Sequence, residues 1–150
     1  MAQIAAIGEV VVELAPQGIE ESIGREILSL GFAGDTFNTS VYLSRTGTET
    51  DYVTLLGDDP YSQQILKLAE REDIGTKMTT TMAGRLPGMY LIRNSTDGER
   101  EFCYWRKEAR ARELFTDKAL TKTLYPKHLR FRPHEHAPKC PWRCCSALNS

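Results

Sequence analysis

The sequence predicts an α/β fold in which a parallel sheet is covered by helices and followed by short extra strands. Three observations predict it. Residues 36–71 run through helical spacing, strand spacing and helical spacing again, which requires crossover connections between parallel strands. The apolar runs at 4–7 and 10–12 are continuous rather than alternating, as in strands buried on both faces. Residues 77–106 turn β-like again around an Asp97-Gly98 pair, a hairpin signal.

Taken in order, residues 4–14 are rich in Val and Ile and predict one opening strand, interrupted at Gly8. Residues 16–30 mix turn residues with short apolar pairs and suit small exposed strands or a loop excursion better than a helix. From Thr36 the spacing is helical: Phe37, Val41 and Ser44 share one face, Leu43 flanks it, Asp35 is placed as the N-cap and Gly47 as the stop. A second unit follows, with a strand at 51–56, the turn Gly57-Asp58-Asp59-Pro60, and a helix at 61–71 carrying Ile65, Leu66, Leu68 and Ala69 at a 3.6 period. Pro60 suits the first helical turn. Beyond Asp73-Ile74-Gly75, strands are expected at 77–82, 88–93 and 101–106, with a polar turn at 94–98.

With 150 residues, 41% hydrophobic and 26% charged, the chain can bury a real core. Its apolar runs fall far short of the roughly 20 residues a membrane helix needs. No Lys or Arg precedes Arg25, while Glu9 and Glu13 do, which disfavours a secretory or transit segment. The expected compartment is the cytoplasm, with no membrane partner.

The net charge of −1 hides an asymmetry: residues 1–113 hold 12 Lys+Arg against 18 Asp+Glu, and residues 114–150 hold 7 against 2. The histidines, four of seven prolines, and Cys140, Cys144 and Cys145 also fall in the second stretch. A boundary near Leu114 therefore separates a first part, 1–113, from a basic, irregular Cys/His/Pro-rich tail, 114–150. His134, His136, Cys140, Cys144 and Cys145 lack the paired C-x2-C spacing of common zinc modules, so no metal site is expected. Disulfides are not expected in the cytoplasm. Basic charge without an organised helix or aromatic platform does not make a nucleic-acid site, and no nucleic-acid partner is expected.

The segment Gly31-Phe32-Ala33-Gly34-Asp35-Thr36-Phe37-Asn38-Thr39 carries the most chemistry. Gly34 lets a ligand approach the backbone, Asp35 accepts hydrogen bonds from hydroxyls, and Asn38 both donates and accepts. One helical turn apart, the two polar side chains can meet one polyhydroxylated ligand. On spacing alone the segment also reads as a glycine turn capped by Asp35, with Asn38 facing solvent.

Gly8-Glu9, the Ala33-to-Thr39 run closing with Leu43-Ser44-Arg45-Thr46-Gly47, Gly57-Asp58-Asp59 and Asp73-Ile74-Gly75 resemble the ribokinase-type (PfkB) carbohydrate kinases in order and spacing. Arg85-Leu86-Pro87-Gly88-Met89-Tyr90, Gly98-Glu99-Arg100-Glu101-Phe102 and Tyr104-Trp105-Arg106 are similar to the members acting on 2-keto-3-deoxygluconate. The resemblance covers residues 3–113. It implies the N-terminal portion of a ribokinase-like (Rossmann-like) sheet with a small β lid. It further implies a sugar-binding run Gly34, Asp35, Thr36, Phe37 and Asn38, with Tyr90 lining the site and Tyr104, Trp105 and Arg106 at the carboxylate end of a sugar acid. An Arg fork suits a carboxylate, and a tyrosine adds an apolar wall with a hydroxyl tip.

The family's catalytic Gly-Ala-Gly-Asp motif also resembles Ala33-Gly34-Asp35. Phe32 stands where that motif needs its first glycine, so Asp35 is assigned to binding and no catalytic residue is expected. Ala33 replaces the first glycine of the sugar motif, a change tolerated at negative φ. In the family, ATP and Mg²⁺ supply the phosphoryl group, and the lid often makes a homodimer contact. Past about Glu113 the family pattern stops, so the resemblance implies a truncated kinase, inactive alone, with an aberrant ending. The alternatives are a non-catalytic sugar-acid-binding or dimerisation module, and a basic metal- or nucleic-acid-binding protein acting through its tail.

Overall fold

Nine elements are defined in the computed structural model, which describes residues 4–21, 24–95, 97, 99–107 and 109. They are β1 (Ile4–Ile7), β2 (Val11–Glu20), β3 (Arg25–Ala33), α1 (Asp35–Arg45), β4 (Thr50–Gly57), α2 (Pro60–Arg71), β5 (Thr79–Met82), β6 (Met89–Asn94) and β7 (Arg100–Trp105). The tail beyond 113, with its histidines and three of the cysteines, lies outside the described residues. No described helix is long and apolar enough to cross a membrane.

Two sheets share the chain. A three-stranded sheet in the order β1-β4-β5 is parallel throughout. The lid is a four-stranded sheet, β3-β2-β6-β7, antiparallel at β2–β3 and β6–β7 and parallel at β2–β6. The single opening strand expected over 4–14 is thus two strands in different sheets. Gly8 stands at the break: a Cβ there would sit 1.7 Å from Thr36 Oγ1, so only glycine lets the start of α1 approach the chain where it leaves β1. Gly8 N–H still donates to Val53 O at 3.2 Å, and beyond it the strand pairs with β3 and β6 instead.

The core forms where α1 and α2 pack on one face of the parallel sheet, through Val10, Phe37, Tyr52, Leu56, Ile65, Ala69 and Ile74. Phe37 and Tyr52 meet edge to face with centroids 5.2 Å apart, a favoured aromatic geometry. Val53 and Leu55 form a second cluster with Ala5, Ile7, Met78 and Met82, so β4 is buried on both faces, as its continuous apolar run requires.

Both helix ends follow local chemistry. The side chain of Asp59 caps α2, accepting from Tyr61 N–H at 2.9 Å and Ser62 N–H at 3.1 Å, with Pro60 at the first helical position. At the end of α1, Gly47 adopts φ 85, and the amides of Gly47 and Thr48 return to Ser44 O and Leu43 O, a Schellman closure. Arg45 then makes a two-pronged pair with Glu72 at 2.7 and 2.9 Å, tying the end of α1 to the end of α2. This exposed pair raises the Arg45 pKa and lowers that of Glu72.

The start of α1 corrects the expected cap. Gly34, not Asp35, is the N-cap, and it makes no side-chain cap bond. A Cβ at Gly34 would lie 2.2 Å from Glu9 O, so only glycine lets β3 turn into the helix against the 8–10 segment. Asn38 N–H donates to Gly34 O at 2.7 Å, and the helix begins one residue early. Asp35 becomes its first residue, favoured by the helix dipole, with its carboxylate spared from capping. Ala33 keeps a negative φ: among the described non-glycine residues only Asp73 is positive.

Candidate functional site

Strand alternation gives the lid two unlike faces. Leu14, Leu28, Leu30, Leu91, Cys103 and Trp105 occupy the outer one, as the pairings Leu14↔Leu30, Leu14↔Leu91 and Leu91↔Cys103 require. The inner face carries Glu13, Tyr90, Ile92, Arg100, Phe102 and Tyr104, through Glu13↔Tyr90, Tyr90↔Tyr104 and Ile92↔Phe102. That inner face and the start of α1 enclose a cleft of about 350 Å³.

One side of the cleft is polar and fixed by the helix: Gly34, Asp35 and Asn38, one turn apart. The other is an aromatic wall. Tyr90 lies 5.6 Å from both Phe102 and Tyr104, and the last two are nearly parallel, 6.2 Å apart. Between the sides, the Tyr90 hydroxyl donates to Glu13 Oε2. Burial, and then the bond to Glu13 and its negative charge, push the Tyr90 pKa up, so this hydroxyl holds its proton through the neutral range. The cleft therefore offers acceptors, an amide and apolar ring faces, the equipment for a polyol with C–H faces.

Of the nine residues expected in a site, Gly34, Asp35, Asn38, Tyr90 and Tyr104 line this cleft. Four do not. Thr36 turns to the core and shares a 3.1 Å hydrogen bond with the Tyr52 hydroxyl. Phe37, 1% exposed, is core. Trp105 falls on the outer lid face by strand alternation, opposite Met89 and 56% exposed. Arg106 stands at the edge, its guanidinium 5.5 Å from the Tyr104 ring centroid, with Nη2 donating to Glu9 Oε2. Glu9 Oε1 and Arg106 Nε are buried without a hydrogen-bond partner.

Sequence reasoning missed Glu13, Ile92, Arg100 and Phe102. The period-2 step back from Tyr104 to Phe102 and Arg100 was a usable signal. So was Glu13, a lone charge in the Val-Val-Glu-Leu run. Among the described residues, no group of three or more His, Cys, Asp or Glu gathers to hold a metal ion.

Comparison with known proteins follows the same line. Residues 1–124 match the pattern of the pfkB family carbohydrate kinases. The chain is similar to 2-dehydro-3-deoxygluconokinase of Escherichia coli K12, 43% identical over 114 residues, which are 73% of this chain and 35% of that protein. It is similar to the protein of the same name from Dickeya dadantii, 39% identical over 113 residues, 73% of this chain and 34% of the other. In fold it resembles a fructokinase from Xylella fastidiosa solved with bound ATP, at TM-score 0.62 and 20% identity, covering 71% of this chain and 31% of that one. The chain spans about a third of the length of the curated relatives it matches.

Proposed function

Because this chain belongs to the pfkB family of carbohydrate kinases, we propose that its cleft binds a sugar acid of the 2-keto-3-deoxygluconate kind. The observation that carries the reading is the convergence of Gly34, Asp35 and Asn38 with the Glu13–Tyr90 pair and Tyr104 around one cleft. Asp35, Glu13 and Asn38 hold hydroxyls, and the rings of Tyr90 and Tyr104 cover a C–H face of the sugar. Arg106, resting over Tyr104, addresses the carboxylate end. Residues 1–113 form the sugar-binding part with its lid. The names of the Escherichia coli and Dickeya dadantii relatives support this substrate class.

In the family's reaction, bound ATP with Mg²⁺ supplies the phosphoryl group. The lining of the cleft, with the carboxylates of Glu13 and Asp35 beside the amide of Asn38 and the rings of Tyr90 and Tyr104, suits a polyol better than a triphosphate. We therefore assign to this chain the binding and orientation of the acceptor sugar, and no phosphoryl-transfer step. The outer lid face, where Leu28, Leu30 and Trp105 stand 37%, 44% and 56% exposed, supports a second copy of the chain as its partner.

Calorimetric titration of the 150-residue chain with 2-keto-3-deoxygluconate tests the reading. Saturable binding that weakens on Asn38→Ala is expected. No heat of binding up to millimolar sugar acid would overturn it.

A further inference from the structure

Arg106 follows the last residue of β7, so no strand neighbour fixes its side chain. A long arginine side chain gives up much rotamer freedom when it is ordered, and ligand would bear that cost if the chain did not. Two contacts remove the freedom beforehand. The ring of Tyr104 lies 5.5 Å from the guanidinium carbon, and Nη2 donates to Glu9 Oε2. Glu9 is itself held in the short link between β1 and β2: its side chain is 13% exposed, its carbonyl packs on Gly34 and its carboxylate on Gly88.

This bond differs in kind from the pair of Arg45 with Glu72. There Nε and Nη2 both donate, at 2.7 and 2.9 Å, and the fork is spent on the protein. Arg106 spends Nη2 alone, while its Nε and Glu9 Oε1 are buried without a hydrogen-bond partner. A pair shaped for stability alone would close the second bond, because an unsatisfied buried donor is costly. The single bond fixes the guanidinium and leaves the remaining N–H groups of Nη1 and Nη2 for a ligand carboxylate.

We propose that Glu9 is a positioning residue, which holds Arg106 over Tyr104 so that the guanidinium meets the carboxylate end of the sugar. The inference rests on the reading of the cleft as a sugar-acid site with Arg106 at its carboxylate end, and adds the group that sets the arginine there. Glu9 acts through Arg106 and does not touch the sugar. Its negative charge works against an anionic ligand, so only its placing of the fork favours one. Reach and charge therefore have opposite effects on acid-sugar binding.

Two substitutions separate them. Glu9→Asp keeps the charge and draws the carboxylate back by one methylene, whereas Glu9→Gln keeps an acceptor at the same reach and removes the charge. The chain and both variants are titrated calorimetrically with 2-keto-3-deoxygluconate and with a neutral ketose, and circular dichroism verifies the fold. Glu9→Asp should weaken the acid sugar roughly tenfold, and Glu9→Gln should hold it within about threefold of the unsubstituted chain. The ketose has no carboxylate for Arg106 to address, so its affinity should be the same in all three. Acid-sugar binding that Glu9→Asp leaves unchanged or tightens would overturn this inference alone. So would a loss in Glu9→Gln as large as that in Glu9→Asp, or equal losses for acid sugar and ketose, the mark of a purely structural role. An unsubstituted chain that does not bind the acid sugar, or binding that Arg106→Ala leaves unchanged, would overturn the sugar-acid reading with its carboxylate end and this inference together.

Discussion

Glu9 and Arg106, 97 residues apart in sequence, form an ion pair where the lid meets the parallel sheet. Glu9 belongs to the three residues between β1 and β2, and Arg106 follows β7, so one contact fastens both ends of the lid. Glu9→Ala or Arg106→Ala should each destabilise the fold by about 1–3 kcal/mol, because each leaves a largely buried charge unpaired. The double substitution should cost clearly less than the sum. A urea-denaturation double-mutant cycle measures this, and strictly additive losses would show that the pair is not coupled.

Asp35 is the first residue of α1 rather than its cap, so its carboxylate should matter to ligand more than to fold. Asp35→Asn is expected to cost a few tenths of a kcal/mol in stability, the loss of a charge near the helix dipole. Sugar-acid affinity should fall by roughly ten- to a hundredfold, the range for losing a charged hydrogen-bond acceptor. Unfolding curves and titration heats on the same variant separate the two effects. Unchanged affinity would place Asp35 outside the site.

Burial pushes the Tyr52 pKa from 10.0 up to about 12, only partly offset by its bond to Thr36. The folded pKa lies above the unfolded one, so this contribution is complete below about pH 10 and is lost as pH rises toward about 12. The loss should be on the order of 2–3 kcal/mol. Urea midpoints measured from pH 9 to 12 should fall, and Tyr52→Phe should flatten part of the fall. Tyr90 shifts in the same direction and supplies another part.

The 150 residues as they stand are expected to bind the sugar acid without turning over ATP. Phosphoryl transfer needs a base at the acceptor hydroxyl and preorganised groups around the transferring phosphate. A coupled ADP-release assay with ATP, Mg²⁺ and 2-keto-3-deoxygluconate checks it. Turnover near the ~1–100 s⁻¹ usual for kinases would overturn the expectation. If that turnover vanished on Asp35→Asn while binding survived, Asp35 would be the proton acceptor.

Leu30→Lys places a charge on the outer lid face. If a second copy covers that face, sedimentation should show a dimer that this variant converts to monomer, with sugar affinity retained. A monomer before substitution would remove the second copy.

What could be read from sequence was what neighbours in the chain decide. The apolar run of β4 and the Asp59-Pro60 start of α2 are local signals, and both elements stand where the spacing put them. The split of residues 4–14 was hidden because it depends on the close approach of Thr36 to Gly8 and on pairing with distant strands, which are tertiary contacts. Asp35 looked like a cap because its residue type favours one; the close approach of Gly34 to Glu9 O moved the helix start. The pfkB kinship and the ribokinase-like fold were legible because several separate motifs agreed. The inner lid face was not, since placing Arg100 and Glu13 beside Tyr90 requires the register of three strands.

The hydrogen bond from Tyr90 to Glu13 spans 77 residues, and the parallel ladder between β2 and β6 closes the same long loop. The β2–β3 hairpin needs only local encounters, so it can form on the microsecond scale. The cleft is slower to form, because its two walls come from opposite ends of that loop and closing it costs the entropy of the long chain between them. On a chain growing from its N-terminus, the half of the cleft that carries Glu13, Asp35 and Asn38 is thus made before the aromatic half. Ligand can drive only the last step of assembly, the docking of β6 and β7 onto a hairpin that waits with an open edge.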